Sequence, residues 1–194
     1  MDARELVERV GLRPHPLEGG FFRETYRSDE RLAESALPDR YTKDRAVATA
    51  IYYLLTPDTF SAMHRLASDE VFHFYAGDPV EMLQLHPDGS HEITLIGNDI
   101  AAGQQPQVVV PRGTWQGCRM GRSLGPRARS DAHEGLDYDE CRTHEGLGYG
   151  YALLGTTVAP GFDPEDYEHG DREALSAQYP ESVREMIREL TRNG

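Results

Sequence analysis

Cysteine is scarce in this chain: Cys118 and Cys141 are the two among 194 residues, too few for a disulfide framework, so reduced thiols are expected. Positive charge is also in deficit. Twenty Lys and Arg stand against 33 Asp and Glu, a formal net charge of −13. That balance repels phosphate backbones and anionic lipid, so neither nucleic acid nor a membrane is an expected partner. No apolar run approaches the ~18–20 residues that cross a bilayer; stretches such as Ala50 to Leu55 end after a few positions. The opening Met1-Asp2-Ala3-Arg4-Glu5 carries acids where a secretory signal is basic and then apolar, which points to a cytoplasmic protein. A P-loop, a dinucleotide glycine fingerprint and β-α-β alternation are all missing, which argues against a parallel nucleotide-binding sheet.

What is present fits one domain over residues 1–194, since domains average about 150 residues, and 38% hydrophobic with 27% charged residues excludes wholesale disorder. Ala3 to Val10 spaces Leu6, Val7 and Val10 as a short helix ended by Gly11. The stretch Arg13 to Gly20 packs two prolines and two glycines into eight residues, which no helix or central strand tolerates, so it reads as a shaped loop. Phe21 to Ser28 then alternates, and Asp29 to Asp44 turns polar and irregular. From Arg45 onward, runs rich in Val, Ile, Tyr and Phe recur between turn residues, the pattern of an all-β sandwich or barrel. The candidate strands are Ala46–Leu55, Phe60–Leu66, Glu70–Ala76, Val80–His86, His91–Ile96, Gln107–Val110, Trp115–Met120 and Tyr149–Val158, with an Asp88-Gly89 hairpin turn in the middle. Gly121 to Gly148 has almost no aliphatic periodicity and reads as a long surface excursion. Cys118, His133, Cys141 and His144 lie in or beside it at spacings that match no zinc module. At the C-terminal end, Asp171–Ala177 and Glu181–Arg192 read as helices, the second with Val183, Met186, Ile187 and Leu190 in one stripe.

The segment from Ser61 to Gly77 carries the chemistry. It joins two strand-like pieces through a polar turn, placing His64 and Leu66 on one face and Glu70, Phe72 and Phe74 on a face of the next strand. If both faces line a barrel interior, His64 meets Glu70 there. His64, Glu70 and Gly77, followed by Pro111-Arg112-Gly113-Thr114-Trp115-Gln116, resemble the two motifs of the cupin superfamily, with Leu66 where the second histidine would stand and Gln116 in the place of the third. Further phrases (Pro14-His15-Pro16, Glu18-Gly19-Gly20, Arg23 to Arg27, Ser68-Asp69-Glu70, His73 to Pro79, Gly97-Asn98-Asp99, Pro106 to Pro111 and Val158 to Phe162) look like the DUF985, or cupin-5, family over most of the chain. The stretch at 121–148 has no counterpart in that pattern and reads as an insertion.

The resemblance implies a mainly β fold, a double-stranded β-helix of jelly-roll type with a short N-terminal helix and C-terminal helices, and a homodimer. Metal-dependent cupins hold a divalent transition metal with three histidines and a glutamate; here the set is reduced to His64, Glu70 and Gln116, so no metal cofactor is expected. His73 could restore a ligand only if a bulge turned it inward. Without metal, His64 and Glu70 form an acid–base pair for isomerase, epimerase or lyase chemistry on a small-molecule ligand, as in metal-free epimerases of the fold. Gln116, Phe72, Phe74, His73 and Tyr53 are the expected substrate contacts. Two alternatives stay open at this point: an oxygenase-like metal enzyme using His64, Glu70 and Gln116, and a non-catalytic metabolite sensor or scaffold. His15 reads first as a loop anchor and second as a cap on the pocket.

Overall fold

The computed structural model describes residues 1–121 and 148–192, so the excursion expected at 121–148 lies, apart from its end residues, outside the described residues. In chain order the strands are β1 (Arg13–Pro14), β2 (Phe21–Arg27), β3 (Arg31–Leu32), β4 (Arg45–Ala46), β5 (Thr49–Leu55), β6 (Phe60–Arg65), β7 (Asp69–Gly77), β8 (Val80–Leu85), β9 (His91–Ile96), β10 (Gln107–Val110), β11 (Trp115–Met120), β12 (Ala152–Ala159) and β13 (Glu168–His169). Six of them form an antiparallel sheet in the order β1-β2-β5-β12-β7-β10, and five form a second in the order β13-β6-β11-β8-β9. The expected strand Ala46–Leu55 is interrupted: Arg45–Ala46 pairs with Arg31–Leu32 in a separate two-stranded ribbon, and the long strand begins at Thr49. Among the described residues, no helix is long and apolar enough to cross a membrane.

Alternation decides what lies between the sheets. Tyr53, Leu55, Phe72, Leu154, Val108 and Val110 point inward from the first sheet, and Val80, Met82 and Cys118 meet them from the second, forming one apolar cluster. The outer face of the second sheet would expose Met63, Leu83, Leu85 and Trp115. It is covered instead by α2 (Arg172–Gln178) and α3 (Glu181–Glu189), whose Val183, Met186 and Ile187, with Leu190 just beyond, are the stripe legible in the sequence. Each such side chain removed from water contributes roughly 1.5–3 kcal/mol. Helix α1 (Ala3–Val10) starts where the Asp2 side chain accepts the Glu5 amide and stops at Gly11, whose φ of +69° lets its N–H reach back to helical carbonyls. Its Leu6 packs with Leu54 and Tyr151 on the outside of the first sheet.

The chain from Pro160 to Gly170 crosses one end of the barrel as a strap held mainly by ions. Arg45, 2% exposed, donates from Nε and Nη2 to both carboxylate oxygens of Asp166 at 3.1 and 2.6 Å. Lys43 Nζ lies 2.9 Å from Asp163 and 3.1 Å from Glu165, and the Ser68 hydroxyl donates to the Pro160 carbonyl. Because Arg45 and Asp166 are both nearly buried, removing one partner strands a charge away from water. Asp166→Ala is expected to lower the unfolding free energy by about 3–5 kcal/mol in urea titrations, whereas Arg45→Met/Asp166→Leu, which removes both charges, recovers most of that loss.

Candidate functional site

The loop between β1 and β2 turns back into the barrel, and two glycines make this possible. Gly19 (φ +101°) and Gly20 (φ +66°) occupy conformations that L side chains avoid, and a Cβ on them would approach the Phe60 and Leu54 carbonyl oxygens to 2.5 and 2.7 Å. The loop is pinned by the Tyr53 hydroxyl donating to the Gly19 carbonyl (2.9 Å) and by the Ala62 amide donating to the Glu18 carbonyl (2.9 Å). His15 Nδ1 accepts the backbone amides of Glu18 (2.9 Å) and Leu17 (3.3 Å). The result delivers the Glu18 carboxyl to the interior, where Ser61 Oγ donates to it at 3.3 Å. Its Oε1 sits 3.8 Å from His15 Nε2 and 3.7 Å from His64 Nε2.

His64 comes from β6 and is 1% exposed. The register of β6 against β11 slips between Gln116 and Cys118, so Ser61 and His64 both face inward although they are three apart, while Met63 turns onto the helices. His64 Nδ1 donates to the Ala62 carbonyl at 2.8 Å, which leaves Nε2 as an acceptor. Gln116, on β11 opposite His64, donates from Nε2 to Glu70 Oε2 at 2.5 Å and to His64 Nε2 at 3.4 Å. The expected His64–Glu70 pair is therefore joined through an amide rather than by a direct hydrogen bond. With its amide hydrogens committed to those two acceptors, Gln116 keeps a buried Oε1 without a hydrogen-bond partner among the described residues. Tyr167, from the strap, stacks on the His64 ring with centroids 4.8 Å apart and planes 12° from parallel, and its hydroxyl is also buried with no hydrogen-bond partner among the described residues.

Glu70 lies on β7 in the other sheet. Burial, and secondly the charge of Glu18, raise its carboxyl to about 7; the His64, Thr156 and Gln116 side chains act against this. Burial raises Glu18 to about 7 as well, with Ser61 opposing. Burial lowers His15 to about 4 and is the main reason His64 also falls below its ordinary value. Two neutral imidazoles thus flank a carboxyl that is itself close to half-protonated at neutral pH.

These carboxyls border a cavity of about 240 Å³ whose wall includes His15, Phe22, Ile51, Leu66, Val158 and Phe162. A larger cleft of about 570 Å³ lies between Met63 and the C-terminal helices. Its Asp171 is committed to capping α2, so the concentration of buried ionisable groups, not volume, marks the smaller cavity as the site.

Of the residues expected from sequence, His64, Glu70 and Gln116 meet in the interior. Of the expected set only Glu70 borders the cavity; Gln116 lies behind it, and Tyr53, Phe72 and Phe74 fill the apolar half of the barrel. His73 is on the outer face, 3.3 Å from Thr157 Oγ1 and 3.3 Å from the Gln107 amide, with its ring parallel to that of Tyr75. The bulge in β7 falls at Tyr75, after His73, and so cannot turn it inward. Glu18 and Tyr167 were not foreseen. A carboxylate wedged between a proline-bounded histidine and a Gly-Gly pair is the signal that could have revealed Glu18, whereas nothing local distinguishes Tyr167. His15 both anchors the loop and lines the cavity. For a metal, Leu66 offers no donor, and among the described residues no group of three His, Cys, Asp or Glu side chains is arranged to hold an ion; the donor set here does not fit the three-histidine pattern.

A family model described as Cupin superfamily (DUF985) matches residues 4–170. The chain is 26% identical over 176 residues to Uncharacterized protein YML079W of Saccharomyces cerevisiae, a match covering 87% of this chain and 77% of that protein. Among solved structures it is similar to protein SO0799 from Shewanella oneidensis, with 29% identity, a TM-score of 0.76 and coverage of 100% of this chain and 99% of the other. A hypothetical protein from Leishmania major matches with 26% identity and a TM-score of 0.75 over 100% of both chains.

The raised carboxyls link stability to pH. Folded Glu70 keeps its proton up to about 7, while the unfolded chain releases it near 4.5, so between these values the native state binds more protons and its advantage shrinks as pH rises. His15 and His64 act in the opposite sense, because below about 6.5 the unfolded chain takes up protons that the buried rings refuse. Comparing wild type with Glu70→Gln isolates the carboxyl. Denaturant titrations at pH 5 and pH 8 are expected to show the wild type losing stability relative to the variant at the higher pH.

Proposed function

Since this chain belongs to the DUF985 family of the cupin superfamily, we propose that it is a small-molecule-binding cupin that moves protons at carbon, an isomerase or epimerase, with lyase chemistry as its nearest relative, without a tightly bound metal. The observation that carries this reading is the pair Glu18 and Glu70, both raised to about 7 and both on the wall of one cavity. Near neutral pH such a pair supplies one protonated and one ionised carboxyl, an acid and a base at the same site. Ionised Glu70 takes a proton from the carbon next to a substrate carbonyl while protonated Glu18 gives its proton to the carbonyl oxygen. Return of the Glu70 proton to the neighbouring carbon, with Glu18 taking back a hydroxyl proton, completes an isomerisation with no net proton gained or lost. His64 does not line the cavity, and it serves as a positioning residue that fixes Gln116 and faces Glu18.

A homodimer in the cytoplasm belongs to the same proposal. On the outer face of the six-stranded sheet, Tyr75 and Val109 are 50% and 54% exposed. Exposed apolar side chains on a face that α1 covers only in part support pairing with a second copy.

Native mass spectrometry of protein purified without chelators reports mass, metal and any retained metabolite together. A dimer with substoichiometric metal is expected, and near-stoichiometric iron, manganese, nickel or zinc would overturn the metal-free mechanism. Incubation of the retained metabolite with the protein in D2O is expected to place deuterium on carbon. Glu70→Gln and Glu18→Gln should each slow that exchange by about 10²–10⁴-fold. A metabolite recovered unlabelled would instead mark the protein as a sensor or scaffold.

A further inference from the structure

Resting on the proton-transfer reading, the histidine on the cavity wall acquires a role of its own. His15 spends Nδ1 as an acceptor, taking the backbone amides of Glu18 at 2.9 Å and Leu17 at 3.3 Å. A proton on Nδ1 would confront both amide donors, so the ring is neutral and its one hydrogen is fixed on Nε2. Burial, then the charges of His64, Arg192 and Arg13, act in the same direction by lowering its pKa to about 4. Edge contacts with Phe22 and Tyr53, at centroid separations of 4.4 and 6.1 Å, hold the ring against the cavity. Among the described residues no hydrogen bond uses the Nε2 hydrogen, and Glu18 Oε1, at 3.8 Å, lies past hydrogen-bond distance.

His64 presents the opposite tautomer to the same oxygen. Its Nδ1 donates to the Ala62 carbonyl, and its Nε2, 3.7 Å from Glu18 Oε1, is an acceptor that faces the Gln116 amide. Of the two imidazoles beside Glu18, only His15 offers a hydrogen, and only His15 borders the cavity. The 3.8 Å between His15 Nε2 and Glu18 Oε1 is a gap that one oxygen atom bridges. An oxygen about 2.8 Å from each sees the two donors at roughly a right angle, which the lone pairs of a carbonyl accommodate. Phe22, Ile51, Leu66, Val158 and Phe162 make much of the remaining wall apolar, and the volume of about 240 Å³ is below the ~300–1,000 Å³ typical of sites for drug-sized ligands.

We infer that the substrate is a compact carbonyl compound whose oxygen sits between the His15 Nε2–H and the Glu18 carboxyl, and that His15 is a catalytic residue acting as a neutral electrophile. As Glu70 removes the proton beside the carbonyl, the C–H pair becomes the C=C bond, the C=O π pair moves onto oxygen, and that oxygen takes the Glu18 proton. The Nε2–H bond does not break; it stabilises the oxygen while charge develops there.

The test uses the intact protein and three probes 13C-labelled at the carbonyl: acetoin, hydroxyacetone and cyclopentanone. His15→Asn is the informative variant, because its side-chain oxygen still accepts the amides two and three residues on while the Nε2–H is gone. Its folding is checked by thermal melting. At least one probe is expected to bind saturably, with its C=O infrared band at lower wavenumber in the wild type than in His15→Asn. The variant should bind that probe about 3- to 10-fold more weakly and slow deuterium incorporation from D2O by about 10²–10³-fold. In the wild type at pH 7, 15N NMR should show His15 protonated at Nε2 alone, with that resonance moving as the probe is added. Absence of binding by all three probes, a C=O band unmoved by His15→Asn, or a ring protonated at Nδ1 would overturn the inference. If His15→Asn does not fold, the NMR titration decides, and an Nε2 resonance unmoved by every probe counts against His15. The two readings fail separately: a band that depends on His15 with no deuterium on carbon sinks proton transfer alone, whereas exchange that His15→Asn leaves at the wild-type rate sinks the role of His15 alone.

Discussion

The hydrogen bond from the Gln116 amide to Glu70 crosses from one sheet to the other, and the interior is arranged around it. Gln116 sits on β11 beside His64 of β6, whereas Glu70 belongs to β7 in the opposite sheet. A carboxyl buried in an apolar barrel must be paired or protonated. Here a neutral amide provides the pairing and leaves the carboxyl free to hold or release a proton near neutrality. A cation in that place would have fixed Glu70 as an anion and pulled its titration down. The glutamine thus leaves Glu70 able to titrate near neutrality.

The second carboxyl arrives by a different route. Glu18 is carried inward by a loop whose glycines pass within van der Waals distance of neighbouring carbonyls, and it lies between two imidazoles held neutral by the same burial that raises it. Desolvation therefore works on acid and base together, pushing the carboxyls up and the histidines down. The strap from Pro160 closes the arrangement from the other side. Its anchoring through Arg45 and Asp166 places Phe162 on the cavity wall and Tyr167 on the His64 ring, so a buried ion pair positions part of the site.

Much of the architecture was legible in the chain. The strand set, the hairpin turn at Asp88-Gly89 and both helical ends follow from periodicity and turn chemistry, and the trio of His64, Glu70 and Gln116 from the resemblance of two motifs to those of the cupins. The aromatic residues misled, because alternation says that Phe72 and Tyr53 face inward but not whether the interior at their level is packed or open. His73 followed the alternation rule, and the bulge that could have turned it falls past it, at Tyr75.

The sequence by itself determined which strands alternate and which faces are apolar, while the resemblance of its motifs, not periodicity, implied that Gln116 joins His64 and Glu70 in the interior. The first two depend on side-chain period, which is local. Only the tertiary structure decided that Glu18 joins Glu70, that an amide separates His64 from Glu70, and that Tyr167 caps the imidazole. Each of these depends on where a loop, a slipped register or a strap is pinned by contacts far away in the chain, such as Ala62 to Glu18 and Arg45 to Asp166, and residue order carries no local record of such distances.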